Sequence, residues 1–270
     1  MNGTRFAVIG VGNMAKSIIS GMLSSQMSIS EWIMFDKFSQ QYEALPYNAS
    51  GYRFAADISD AVASADCVLL SVKPQNYAEI LSEIKKATDY STKLYISIGA
   101  GITSQSVSDE LCGANVIRVL PNLPMTIGMG VSVICKNDKV SDDDFKFVEA
   151  VFASSGSTLL IDEKDMNAII GVTSSSPAYV FKFINAICMG ATAQGLDGDM
   201  LLNTICDVVI GSAMLLKQSK DSPTELISKV ASKGGTTEQA LIKLDEGAFN
   251  ETIEKAMIAC TKRADELGKK

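Results

Sequence analysis

The sequence predicts an α/β fold: an N-terminal Rossmann-like doubly wound sheet followed by an all-α oligomerisation domain. Three observations lead there. Apolar, strand-like runs alternate with amphipathic helical periods as far as Asp162. Beyond that point the β-rich runs stop and long helical periods take over. The first strand-like run also enters a G-x-G-x-x-A turn directly, with a helix following at once. Alternating strands and helices imply right-handed crossovers and a mostly parallel sheet, whereas unbroken helical periods imply a bundle.

The elements follow in chain order. Phe6–Ile9 is an apolar strand, and Ile18, Ile19, Met22 and Leu23 form one face of the helix after it. Between them, Gly10 permits a tight turn and Gly12 removes a Cβ from the path of a pyrophosphate. Ala15 is small enough for close helix packing, while Asn13 and Met14 open the helix. The helix start offers unpaired N–H groups and partial positive charge to phosphates. Trp32–Phe35 is the next strand and ends at Asp36, placed for ribose hydroxyls, with Lys37 equally able to meet a 2′-phosphate. Further strands are expected at Cys67–Ser71, Leu94–Ile98, Val116–Leu120, Val131–Cys135 and Thr158–Ile161, with helical periods such as Tyr77–Ala87 and Asp142–Ala153. In the second part, helices are expected at Pro177–Met189, Met200–Leu216, Glu225–Val230, Glu238–Leu244 and Phe249–Leu267. The domains so defined are residues 1–162, a dinucleotide-binding Rossmann domain, and residues 163–270, a helical substrate-binding and dimerisation domain.

Composition narrows the function. The chain has 270 residues, 47% hydrophobic and 20% charged, as soluble globular proteins do. A net charge of −7 argues against a nucleic-acid partner. No apolar run is long enough for a membrane span, and no signal peptide is expected. The six cysteines are scattered without a C-x-x-C pair, which predicts reduced core residues of a cytoplasmic protein and no metal site. There is no histidine. Imidazole triads, His-based zinc sites and a His general acid are therefore excluded, and protons must come from hydroxyls, lysine, carboxylates, water or the substrate. Several apolar residues crowd one helix (Ile205, Val208, Val209, Ile210, Met214, Leu215, Leu216), which predicts self-association through the helical domain.

Ligands of doubly wound sheets bind beyond the carboxyl ends of the strands, so the loops there are the candidate sites. Ser71-Val72-Lys73-Pro74 leaves a buried strand, with its backbone favoured over Lys73 as the contact. Ala100 and Gly101 follow the next strand, and Asn122 in the Pro-bracketed Pro121–Pro124 turn offers an amide to a carboxamide or a substrate. In the helical part, Ser232-Lys233-Gly234-Gly235-Thr236-Thr237 opens a helix with consecutive N–H groups and hydroxyls, a receptor for a carboxylate. Thr173–Tyr179 is a second hydroxyl-rich helix start.

These landmarks together resemble the pyrroline-5-carboxylate reductases over essentially the whole chain. That family's I-G-x-G-N-M-A, V-K-P, R-x-M-P-N-x-P, G-S-G-P-A-Y and S-P-G-G-T-T patterns correspond here to Ile9–Ala15, Val72–Pro74, Arg118–Pro124, Ser174–Tyr179 and Ser232–Thr237. The resemblance implies NADPH or NADH as cofactor. Gly10–Ala15 would hold its pyrophosphate, and Ser71–Pro74 and Gly99–Gly101 would line the nicotinamide side, with Asn122 close by. It implies a substrate, 1-pyrroline-5-carboxylate, held by Ser175, Ser232, Gly234, Gly235, Thr236 and Thr237, with Thr237 as the donor to the ring nitrogen and the catalytic residue. The chain departs from the pattern at Ser174 and Ser176 (usually Gly), Lys233 (usually Pro), Leu120, Leu123 and Asp207 (commonly Met, Thr and Gln).

The expected reaction is hydride transfer to the C=N carbon, giving L-proline. It suits a site without histidine because an imine arrives protonated and carries its own activation. Two alternatives stay open at this stage. A β-hydroxyacid dehydrogenase or imine reductase would use Lys182 and Asn185, although their spacing turns the pair from the expected face. A catalytically silent nucleotide-binding paralogue would account for the serine and lysine departures.

Overall fold

The computed structural model describes residues 3–268. Its sheet is built from β1 (Thr4–Ile9), β2 (Ile29–Phe35), β3 (Arg53–Phe54), β4 (Cys67–Leu70), β5 (Leu94–Ser97), β6 (Asn115–Leu120), β7 (Gly130–Lys136) and β8 (Gly156–Leu160). The spatial order is β3-β2-β1-β4-β5-β6-β7-β8. Pairing is parallel from β3 to β6, antiparallel between β6 and β7, and parallel again between β7 and β8. The reversal has a simple cause. Residues 121–129 join β6 to β7 through a short 3-10 turn, Leu123–Ile127, and a parallel crossover needs a dozen or more residues.

Side-chain alternation along the strands feeds two separate core layers. Phe6, Val8, Trp32, Met34, Cys67, Leu69, Ile117 and Val119 pack on one face against α1 (Asn13–Ser24) and α5 (Asp142–Ala153). Ala7, Ile9, Ile33, Val68, Leu70, Tyr95 and Val116 pack on the other against α2 (Ile58–Ser64), α3 (Tyr77–Ile84) and α4 (Ser104–Glu110). Capping closes the helix starts: Asp57, Thr103 and Ser141 each accept a hydrogen bond from a first-turn N–H of α2, α4 and α5. Strand β3 had no sequence expectation. It has two residues and no apolar run, and Arg53 fastens it through Asp60 at 3.0 Å and Glu31 at 3.3 Å.

The remaining helices are α6 (Ser176–Ala193), α7 (Leu202–Gln218), α8 (Pro223–Val230), α9 (Thr236–Glu246) and α10 (Phe249–Gly268). The chain divides into two compact units, one comprising residues 1–175 and 257–270, the other Ser176–Ala256. The last helix thus gives its C-terminal part to the sheet unit, where Ala264 is buried beside Leu120, Val133 and Ile170. Among the described residues no helix is long and apolar enough to cross a membrane.

Candidate cofactor site

In the strand order, β1 is followed by β2 on one side and by β4 on the other, so the sheet switches direction between β1 and β4. A crevice opens beyond the carboxyl ends at such a point. Two cavities lie there, of about 470 and 420 Å³. Gly12, Ser71, Val72 and Lys73 line both, making them two ends of one trough. The first end is also lined by Gly10, Asp36, Lys37 and Glu79, the second by Asn13, Met14, Ala100, Leu120, Pro121 and Ser174.

Each glycine of the turn has its own physical reason. Gly10 has φ +90°, and a Cβ on it would meet the Ser71 carbonyl at 2.5 Å. The turn is held there because Gly10 N–H donates to Phe35 O at 2.8 Å and Ser71 N–H to Ile9 O at 2.9 Å. Gly12 is the opposite case: a Cβ there would meet nothing within 4 Å, so the backbone faces open space. Gly12 also caps α1 without any side-chain hydrogen bond, leaving the first-turn N–H groups to a ligand. An open backbone, a free helix start and a trough on either side fit a dinucleotide with its pyrophosphate over Gly12.

Asp36 lies where expected, but its carboxylate is already engaged. Oδ2 accepts from Val11 N–H at 2.7 Å and Oδ1 from Phe38 N–H at 2.9 Å. Tyr42, which drew no notice in the sequence, receives the Asp36 N–H on its hydroxyl at 2.7 Å. Asp36 therefore braces the glycine turn as well as lining the trough.

Tyr77 is a second residue that sequence reading missed, since it looks like one more apolar helix position. Its hydroxyl donates to Leu70 O at 3.2 Å, lies 2.9 Å from Ser97 Oγ, and accepts Gly99 N–H at 3.0 Å. Its ring fills the space that a Cβ on Gly99 would need. Burial pushes its pKa up to about 12, so it stays a neutral hydroxyl. It ties the ends of β4 and β5 to the Gly99–Gly101 loop. Tyr77→Phe is expected to lose about 1–3 kcal/mol in urea denaturation, because Gly99 N–H and Ser97 lose a buried partner.

Asn122, expected close by the nicotinamide, has both ends of its amide bonded within the protein. Its Nδ2 donates to Thr173 O at 3.1 Å and its Oδ1 accepts Val131 N–H at 2.8 Å, and it is only 7% exposed. The amide pins the 173 segment to the start of β7, and the neighbouring Leu120 and Pro121 line the cavity instead. Pro74 opens a 3-10 turn after Lys73 and shapes the rim. Gly101 has φ +80°, and a Cβ on it would strike the Ala264 carbonyl of α10, so the helix end abuts this loop.

Beneath these walls lies a buried polar hub. Arg118, 1% exposed, pairs through Nη1 with Glu163 Oε1 at 2.6 Å and donates through Nη2 to Asn167 Oδ1 at 2.6 Å. Asn167 in turn donates to Asp265 of α10 at 2.7 Å, and Ser104 donates to Glu163. Burial alone would raise the Glu163 carboxyl, but hydrogen bonds from Ser104 and Arg118 and the guanidinium charge hold it below its ordinary value. The hub joins β6, the start of α4 and α10, whose neighbours Leu120, Ala100 and Ile170 wall the second cavity.

In the helical unit, Ser232–Gly235 form the turn before α9, with Gly234 at φ +75°. Glycine suits position 235 because a Cβ there would lie 2.9 Å from the Ser232 carbonyl oxygen. Gly234 N–H donates to the Glu238 carboxylate at 2.7 Å. Thr236 and Thr237 begin α9. In the sheet unit, Ser175 Oγ lies 3.0 Å from Cys260 Sγ.

A doubly wound sheet with a glycine turn at its switch point defines a dinucleotide-binding protein of Rossmann type. Residues 163–267 match the family model described as pyrroline-5-carboxylate reductase dimerisation, and residues 5–101 match one described as NADP oxidoreductase, coenzyme F420-dependent. The chain is 31% identical to a pyrroline-5-carboxylate reductase of Aquifex aeolicus over 265 residues, covering 97% of each. It is 32% identical to one of Vibrio alginolyticus over 273 residues, covering 100% of this chain and 99% of that one. Among solved structures, the 1-pyrroline-5-carboxylate reductase of Streptococcus pyogenes aligns with TM-score 0.87 and 28% identity, over 98% of this chain and 100% of that one. A Plasmodium falciparum pyrroline carboxylate reductase with NADP bound shares the fold, with TM-score 0.88 and 24% identity over 99% of each chain. The chain belongs to the pyrroline-5-carboxylate reductase family.

Proposed function

We propose that the protein reduces 1-pyrroline-5-carboxylate to L-proline with NADH or NADPH, in proline biosynthesis. The observation that carries this reading is the open glycine turn at the switch point, in a chain that aligns with these reductases from end to end. When bound in the trough, the reduced nicotinamide supplies a hydride to the C=N carbon. The chain's own residues do the rest. Gly10–Ala15 cradle the pyrophosphate, with the uncapped backbone N–H groups at the start of α1 as its donors, Asp36 and Lys37 meet the adenosine ribose, and Ser71–Pro74 with Ala100 and Gly101 wall the nicotinamide.

The turn before α9 and the start of that helix hold the substrate. Ser232, Gly234, Gly235 and Thr236 receive its carboxylate, with Ser175 as a further hydroxyl, and Thr237 orients the ring nitrogen. The imine arrives protonated, so no histidine is needed and alignment supplies much of the rate. Gly234 N–H donates to the Glu238 carboxylate, so the backbone of this turn is able to hydrogen-bond an anion.

Self-association through the helical unit accords with α7. Ile205 is its one buried residue, while Val208, Ile210 and Leu215 are 62%, 58% and 57% exposed. Apolar surface of this kind favours a dimer or a dimer-based oligomer. Six cysteines held as thiols suit a reducing compartment, and we place the protein in the cytoplasm.

The test is oxidation of NADH and NADPH by the intact protein with 1-pyrroline-5-carboxylate. Thr237→Ala is expected to lower kcat/KM by about 10–100-fold with cofactor affinity unchanged. Lys182, exposed on α6, is expected to be dispensable. Absence of turnover with either cofactor, or inactivation by Lys182→Ala, would end this reading.

A further inference from the structure

Ser174 stands at the wall of the second cavity with a hydroxyl that no described residue satisfies. Its Oγ is buried and has no hydrogen-bond partner among the described residues. Its neighbours differ. Thr173 Oγ1 donates to Ile169 O at 3.1 Å, and Ser175 Oγ lies against Cys260 Sγ. The segment is not slack either. Asn122 holds the Thr173 carbonyl at 3.1 Å, and Ser175 N–H donates to Ile170 O at 2.9 Å, so Ser174 is pinned on both sides. A buried hydroxyl without a partner costs folding free energy, and an alanine of nearly the same size would avoid that cost. Most of the other residues around this cavity, among them Ile98, Ala100, Leu120, Pro121 and Ile170, present apolar surface, so a polar group entering here meets few side-chain partners.

We infer that Ser174 is a cofactor-positioning residue of this chain: its hydroxyl hydrogen-bonds the carboxamide of the nicotinamide seated in the second cavity. The inference rests on the proposed dinucleotide reading, which puts the adenosine beside Asp36 and the nicotinamide at the other end of the trough. The carboxamide both donates and accepts, so the freely rotating serine hydroxyl can satisfy it either way. The orphaned group is thus satisfied only in the complex, an arrangement that trades stability of the free protein for fixed orientation of the ring.

The test uses the full chain and two ligands, NADH and ADP-ribose, the second lacking the nicotinamide. Ser174→Ala is expected to raise the unfolding midpoint of the ligand-free protein by roughly 2–4 °C. It should weaken NADH binding by about 5–10-fold while leaving ADP-ribose binding unchanged. Ser174→Thr, which keeps the hydroxyl, is expected to retain more of the NADH affinity than the alanine variant. Unaltered NADH affinity in Ser174→Ala would overturn the inference, and so would equal weakening of both ligands. Failure of the wild-type protein to bind ADP-ribose would instead sink the dinucleotide reading beneath it.

Discussion

Gly12→Asp is expected to abolish cofactor binding while leaving the fold as stable as before or slightly more so. The backbone at Gly12 has φ −77° and ψ −176°, extended values open to any residue, and a Cβ there meets no atom of the protein within 4 Å. Aspartate is also a favoured N-cap, so its carboxylate would bond the first N–H groups of α1 and strengthen the helix by about 0.3 kcal/mol. That same carboxylate would occupy the place of the pyrophosphate. Two like charges about 4 Å apart at an effective dielectric near 20 repel by roughly 4 kcal/mol, enough to weaken NADH by at least about 100-fold. Gly10→Ala should behave the other way. Its φ of +90° and the Ser71 carbonyl at 2.5 Å predict a loss of about 1–3 kcal/mol in folding stability. Calorimetric titration with NADH and urea denaturation of both variants separate the two effects. If Gly12→Asp bound NADH as the wild type does, the pyrophosphate could not lie over α1.

Arg118→Ala is expected to be among the most damaging single changes in the sheet unit, at about 3–5 kcal/mol. It removes the cation from a pair whose Arg118 side chain is 1% exposed and whose Glu163 side chain is 30% exposed. It also frees Asn167 from one of its two partners and loosens the tie to α10. Glu163→Gln keeps the shape and should cost less. Its effect carries a pH signature. The Glu163 carboxyl titrates below its ordinary value in the folded protein, so its contribution is present above the unfolded value and fades as pH falls through the folded one. The gap in stability between the wild type and Glu163→Gln should therefore be widest near neutrality and shrink as the pH falls below the ordinary glutamate range. A gap that stays constant into acid would show that the charge of Glu163 contributes nothing.

What could be read in advance was local. The β1–turn–α1 unit and Asp36 lie within the first 36 residues, and strand periodicity, glycine conformation and helix start each leave a mark on neighbouring positions. The same holds for the seven longer strands, which stand within a few residues of their expected bounds. The reversal at β7 was hidden only because strand signals carry no direction, although the short 121–129 connection could have revealed it. Tyr77 and Asn122 are different. One looked like a helix's apolar residue and the other like a ligand contact, and nothing adjacent in the chain records that Gly99, Ser97, Thr173 and Val131 would meet them.

The chain on its own thus established a Rossmann-like sheet unit, a helical partner domain and chemistry without imidazole, because each depends on residue type and short-range periodicity. Folding in three dimensions settled which polar groups remain for a ligand. Asn122 and Glu163 are consumed by partners far along the chain, whereas the Ser174 hydroxyl is left with none among the described residues. Hydrogen-bond satisfaction is a property of neighbours in space, and those neighbours exist only once the strands and α10 have come together.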